Sequence, residues 1–245
     1  MQFDFAPWRL SGTVLGTLLN DPAALAALGE AAHQPPYKAP PRAPVLYVKP
    51  RNTLAAHGAA VVVPQAPGEL EIGAAVAMVI GRTACRVAAD DAPACIAGWT
   101  LVADLSVPHT SFYRPSVRLK ARDGSCLIGP QVVPRDELPD TAALVLRVSI
   151  DGAPVHEGRP AVFQRPAARL LQDVSEFMTL HPGDVLLLGV AQGPPSIAKR
   201  CPARARGAPC DAPSSSRSPG CRLMKAPTSA TSRATPRTRP AVLER

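Results

Sequence analysis

A chain of 245 residues with a hydrophobic fraction of 46% can hold one large domain with a sizeable core. It has no apolar run near the roughly 18 residues that cross a bilayer, so a membrane-spanning role is excluded at this level. The net charge of +8 sits in the tail: residues 201–245 carry nine Lys and Arg against Asp211 and Glu244, leaving 18 basic and 17 acidic groups before them. A near-neutral body argues against a polyanion-binding face.

The start, Met1-Gln-Phe-Asp-Phe-Ala-Pro-Trp-Arg9, lacks the basic-then-apolar layout of a secretion signal, and a cytoplasmic protein is expected. Cys85, Cys95 and Cys126 in the body, and Cys201, Cys210 and Cys221 in the tail, have no metal-binding spacing. An odd number in each segment favours free thiols.

In chain order, residues 12–19 read as a first strand. Asp21 and Pro22 start an Ala/Leu-rich helix running to about Ala32, since Asp21 can accept free N–H groups and Pro22 suits the first turn. Gln34–Pro41 is a stiff connector, and Val45–Lys49 and Ala59–Val63 are strands. A long strand spans about Glu69–Ile80. A short helix from Asp90 through Ile96 precedes a strand at Gly98–Asp104. Leu144–Ile150 and Pro154–His156 flank Asp151-Gly152 as a hairpin. Ala167, Leu170, Leu171, Val174, Phe177 and Met178 repeat at helical spacing over 166–178. Pro182-Gly-Asp184 turns into the strand Val185–Gly189. Several strands with few helices, without regular βαβ alternation, define a β-rich α+β domain.

Beyond about Gly189 composition, charge and periodicity change together. Residues 201–245 hold seven prolines and no aromatic residue. Such a segment cannot bury enough apolar surface to offset its ordering entropy, and disorder is expected there. The domain boundary falls at 192/193, and a shift of reading frame near codons 190–200 would leave this pattern. As a nucleic-acid arm the tail lacks aromatic stacking residues and a binding fold.

The chemistry concentrates in Gly68-Glu-Leu-Glu-Ile-Gly73 and Leu101-Val-Ala-Asp-Leu-Ser106. Side chains two apart on a strand share a face, so Glu69 and Glu71 can converge. Alternating acids are commonly a strand's solvent face. The apolar run Ala74–Gly81 instead places these at the mouth of a buried strand, where paired carboxylates are costly without a cation. With Asp104 on a neighbouring strand they form an all-oxygen set suited to Mg²⁺ or Mn²⁺. Spacing alone leaves both readings open.

Together with Tyr37–Pro41, Val48-Lys-Pro-Arg-Asn-Thr53, Ile96–Ser106, Ser111-Phe-Tyr-Arg-Pro115, Lys120–Pro130 and Leu180-His-Pro-Gly-Asp184, these residues resemble the fumarylacetoacetate hydrolase family over roughly residues 10–192. The resemblance implies a mixed β-roll, a divalent cation (usually Mg²⁺) and a dimer, of identical or homologous subunits. It implies Glu69, Glu71 and Asp104 as metal ligands and Lys120 as the catalytic lysine at the substrate. Arg51, Arg114 and Arg122 would suit the remaining carboxylates of a polyacid; a solvated surface charge is the alternative for each.

The sequence departs from the family in three places. The His-x-x-Glu pair of the family's lid is absent, Ala24 standing where its His belongs, with Glu30 and His33 nearby in reversed order. Gly189-Val-Ala191 replaces Gly-Thr-Pro, and the strands that close the roll in the family are missing after the boundary. His109, three residues from Ser106, can reach the cavity or be structural. The expected function is a metal-dependent decarboxylase or isomerase of an open-chain 2-oxo di- or tricarboxylate from aromatic ring cleavage in 4-hydroxyphenylacetate catabolism, with no nucleic-acid or membrane partner. The alternative is a non-catalytic subunit paired with an active homologue.

Overall fold

The computed structural model describes residues 3–5, 8–10, 12–113, 117–150, 153–160 and 163–198. Strands β1 (Phe3–Phe5) and β2 (Trp8–Leu10) pair with each other. The main sheet is built from β3 (Val14–Leu18), β4 (Val45–Lys49), β5 (Leu54–Ala56), β6 (Glu69–Ile80), β7 (Ile96–Ser106), β8 (Cys126–Ile128) and β9 (Val133–Pro134). A separate hairpin joins β10 (Leu146–Ile150) to β11 (Ala153–Gly158). Strands β12 (Val185–Leu187) and β13 (Ser196–Ala198) return to the main sheet. Its order is β4-β3-β12-β6-β7-β8-β5, with β13 on β6 and β9 on β7.

That order forces the sheet to curl. Strands β4 and β5 are its two ends, yet only residues 50–53 connect them. Six inter-strand steps on a flat sheet span about 29 Å, whereas this link reaches at most about 17 Å. The sheet therefore closes on itself as a half-barrel. This is the β-rich roll expected from the sequence.

The two faces of β6 have different neighbours. Its inner row, Ala75, Ala77 and Val79, packs on Val14, Val102, Cys126, Ile128, Val185 and Leu187. The outer row, Val76, Met78 and Ile80, packs against the helix Ala167–Ser175 through Leu170, Leu171 and Val174. Small residues inside and larger ones outside are what a tightly curled strand requires.

Several expectations need correction. The first helix is only α1 (Pro22–Ala26), capped by Asp21 accepting from Ala23 N at 2.9 Å. Gly29, at φ +49°, breaks it into a 3-10 turn over Gly29–His33. The helix expected at 90–96 is a 3-10 turn at Ala92–Cys95. Ala59–Val63 forms no strand: Ala59, Val61 and Val63 pack on the core while Val62 is 82% exposed, so the run is extended but has no ladder partner. The strand lies earlier, at β5, parallel to β8. Pairing also continues past the 192/193 boundary, since β13 lies antiparallel to β6 and Ile72 N donates to Pro195 O at 2.8 Å. The Asp151-Gly152 turn and the tail from residue 199 lie outside the described residues.

Candidate active site

The acids occupy one end of the roll interior. In the β6–β7 register Glu71 faces Ser106 and Gly73 faces Asp104. Directly paired residues of an antiparallel ladder project to the same side. Glu69, Glu71 and Asp104 therefore share the inner face, continuing the row Ala75–Ala77–Val79. On the other flank of β6, Ser196 faces Glu71.

Asp104 is 1% exposed and the most heavily engaged of the three. Lys49 Nζ lies 2.5 Å from its Oδ1, and Lys120 Nζ donates to Oδ2 at 3.1 Å. The Tyr47 hydroxyl also donates to Oδ2. Burial alone would push this carboxyl up, but the charges of Lys120 and Lys49, with hydrogen bonds from Lys49 and Tyr47, hold it below its ordinary value. Burial, then the Asp104 charge, drives the Tyr47 phenol well above its ordinary range, so it stays protonated and donating.

Tyr47 and Lys49 alternate on β4, which lies four strands away from β7 in the sheet order. The curl brings their side chains across the interior. Gly16, paired with Tyr47 on β3, leaves room for the phenol ring, because a Cβ there would collide with it. Lys49 also donates to Lys120 O at 2.6 Å, Leu105 O at 3.2 Å and Ser125 Oγ at 3.3 Å. One buried ammonium thus fixes both the Asp104 carboxylate and the backbone that carries Lys120. The Lys120 ammonium lies 4.5 Å from the Tyr47 ring centroid, within cation–π range.

Glu69 and Glu71 are half-buried. Burial raises the Glu71 carboxyl; His109 and Lys120 pull it down, and Glu69 pushes it further up. His109 Nδ1 lies 2.8 Å from Val107 O, and its Nε2 is buried without a hydrogen-bond partner among the described residues. The loop that carries His109 is pinned by Tyr37, whose hydroxyl accepts from Phe112 N at 2.7 Å. The Cys126 thiol, facing Asp104 on β8, is pushed up to about 12, chiefly by burial, which removes it as a nucleophile.

The remaining sequence candidates are Arg51, Arg114 and Arg122, with Glu30 and His33 near the expected lid position. Arg51 and Arg122 are exposed and make no ion pair among the described residues. Arg114 lies outside the described residues, and Glu30 and His33 are exposed. Tyr47 and Lys49 were missed; a lysine in phase with the buried residue of an apolar strand, Val45-Leu-Tyr-Val-Lys49, is the signal that could have found them.

The donor chemistry fits a hard divalent cation: three carboxylates on one face at the end of a dry strand row. Their side chains are not gathered. Among the described residues no three Asp, Glu, His or Cys groups lie together closely enough to hold an ion, and Asp104 is neutralised by ammonium groups instead. Oδ1, contacted by Lys49 alone, keeps a lone pair that could face an ion.

A curled mixed sheet with a lysine-clamped aspartate at its mouth defines a roll-type domain with an acidic interior site. The chain matches the fumarylacetoacetate (FAA) hydrolase C-terminal family over residues 13–214, and it belongs to that family. The 4-hydroxyphenylacetate degradation bifunctional isomerase/decarboxylase of Escherichia coli is 43% identical over 183 residues, 75% of this chain and 42% of that protein. The chain therefore spans about two fifths of that relative's length. Among solved structures, 5-carboxymethyl-2-hydroxymuconate delta-isomerase from Mycobacterium smegmatis superposes with a TM-score of 0.61 at 26% identity, covering 76% of this chain and 68% of that one. Fumarylpyruvate hydrolase from Pseudomonas aeruginosa, in complex with Mn²⁺ and pyruvate, shares the fold at a TM-score of 0.62 and 19% identity, covering 81% of this chain and 86% of that one.

Proposed function

We propose that this chain is a divalent-metal-dependent decarboxylase or isomerase of an open-chain 2-oxo di- or tricarboxylate, of the kind produced by aromatic ring cleavage. The observation that carries the reading is the buried Asp104, in register with Gly73 and on one face with Glu69 and Glu71, with the Lys120 ammonium directly against it. The E. coli relative's name, with both activities in it, supports the substrate class.

Glu69, Glu71 and Asp104 would hold Mg²⁺ or Mn²⁺. When bound, such an ion offers a Lewis acid to adjacent carboxylate and keto oxygens and stabilises negative charge that develops there. Lys120, fixed through its backbone by Lys49, would bind a substrate carboxylate or a developing enolate oxygen. Tyr47 stays protonated and orients Asp104. Loss of CO₂ needs an electron sink alone, whereas double-bond migration also needs a base that moves a proton between carbons. With Ala24 in place of the lid histidine, this asymmetry favours decarboxylation. The test is a Mg²⁺-dependent loss of the conjugated substrate's ultraviolet absorbance. It should be present in the parent protein and abolished by Glu71→Ala; metal-independent turnover would overturn the reading.

A second reading is a non-catalytic subunit that pairs with an active homologue. The two ammonium groups that already neutralise Asp104, and Ala24 at the expected lid-histidine position, favour it. It predicts tight association with a homologous subunit and no Mn²⁺ bound by this chain alone.

A further inference from the structure

Double-bond migration requires a base, and the position expected for the lid histidine holds Ala24. Glu30 and His33, the nearest substitutes in sequence, are exposed. The segment that follows β7 nevertheless holds an imidazole whose proton placement is fixed by its surroundings. A carbonyl oxygen can only accept, so the 2.8 Å contact to Val107 O requires the hydrogen on His109 Nδ1. In the neutral ring the lone pair then lies on Nε2, the buried nitrogen that has no partner among the described residues. The ring packs on Phe112 at 5.6 Å between centroids, and Tyr37 holds the Phe112 backbone, so the imidazole is fixed on two sides. Its segment is tied to the site by backbone pairing: Ser106, three residues earlier, faces Glu71, and Val107 N, two residues earlier, donates to Leu119 O beside Lys120. The other histidine with an unpartnered buried nitrogen among the described residues, His156, lies on β11 in the separate hairpin.

We propose that His109 is the general base that moves the proton in the isomerase reaction. This rests on the reading of the site given above and adds to it the group that the absent lid pair leaves unassigned. In the step, Nε2 takes a proton from the carbon next to the keto group. The C–H pair becomes a carbon–carbon double bond and the carbonyl π pair moves to oxygen. The imidazolium then returns the proton to the distal carbon, restoring the carbonyl and shifting the double bond, with no oxidant or co-reactant.

The test uses the full chain with Mn²⁺, pyruvate as an enolisable 2-oxo acid, and oxaloacetate as a decarboxylation probe. Methyl-proton exchange of pyruvate in D₂O is followed by ¹H NMR. His109→Asn is the informative variant, because its amide N–H can keep the bond to Val107 O while the Nε2 lone pair is lost. The expected result is at least about a 100-fold slower exchange, an unfolding midpoint close to the parent's, and partial rescue by added imidazole. Oxaloacetate decarboxylation should fall at least tenfold less than exchange. The proposal is overturned if His109→Asn exchanges within about threefold of the parent, if imidazole gives no rescue, or if both activities fall equally. A parent that decarboxylates without exchanging overturns this proposal alone, whereas a parent that does neither overturns the proposed function with it.

Discussion

Replacing Lys49 with methionine is the sharpest perturbation the structure offers. The side chain is fully buried, and its ammonium sits 2.5 Å from Asp104 Oδ1 while donating to Lys120 O, Leu105 O and Ser125 Oγ. Methionine keeps nearly the same length, so the change removes charge and donors rather than volume. Breaking a buried ion pair from one side costs about 3–5 kcal/mol, because the partner charge is stranded. Lys120 remains on Asp104 and offsets part of this, so the lower end, about 3 kcal/mol, is expected. For a folded body of this size that corresponds to a fall of about 6–12 °C in the unfolding midpoint. Lys120→Met should cost less, since Lys120 makes one bond to Asp104 and leaves the Lys49 pair intact. The assay is reversible urea unfolding of both single variants and of Lys49→Met/Asp104→Asn, which should be less destabilised than the sum of its single changes. A Lys49→Met loss under about 1 kcal/mol, or additive behaviour in the double variant, would refute the buried clamp.

Glu71 gives a pH prediction. Its folded-state carboxyl is raised, first by burial, so its stabilising neutral form is complete below the ordinary glutamate range and lost as pH rises through the raised value. In EDTA, Glu71→Gln should therefore gain stability over the parent as pH goes from 4 to 7, read by calorimetry; a constant difference would contradict this. Gly16→Ala drives a methyl group into the Tyr47 ring and should cost about 1–3 kcal/mol, with a matching loss of activity. Iodoacetamide at pH 8 should label the exposed Cys85 and leave Cys126 unmodified in the folded protein, by peptide mass spectrometry.

The parts of the molecule legible in the sequence are those set by local pattern. The twelve-residue run Glu69–Ile80 is apolar on both faces beyond its first turn of the alternation, and both its limits and the shared face of its two glutamates follow from that. The helix at Ala167–Ser175 follows from its apolar spacing. What local pattern does not encode is the curl. Tyr47 and Lys49 meet Asp104 only because strands four apart in the sheet order fold towards each other. For the same reason the sequence shows only the acids of the site: it suggests a cation between three carboxylates, and the curl adds ammonium groups against the most buried of them. Ala59–Val63 misled because β-branched residues signal extended backbone, and extended backbone need not find a ladder.

Whether Glu69, Glu71 and Asp104 can hold an ion beside those ammonium groups decides the proposed function. Titrating the full chain with Mn²⁺, followed by the electron paramagnetic resonance signal of the free ion, addresses this directly. One ion per chain is predicted, with affinity reduced at least about tenfold by either Glu69→Ala or Glu71→Ala. No binding at millimolar Mn²⁺, or binding unchanged in both variants, would contradict it.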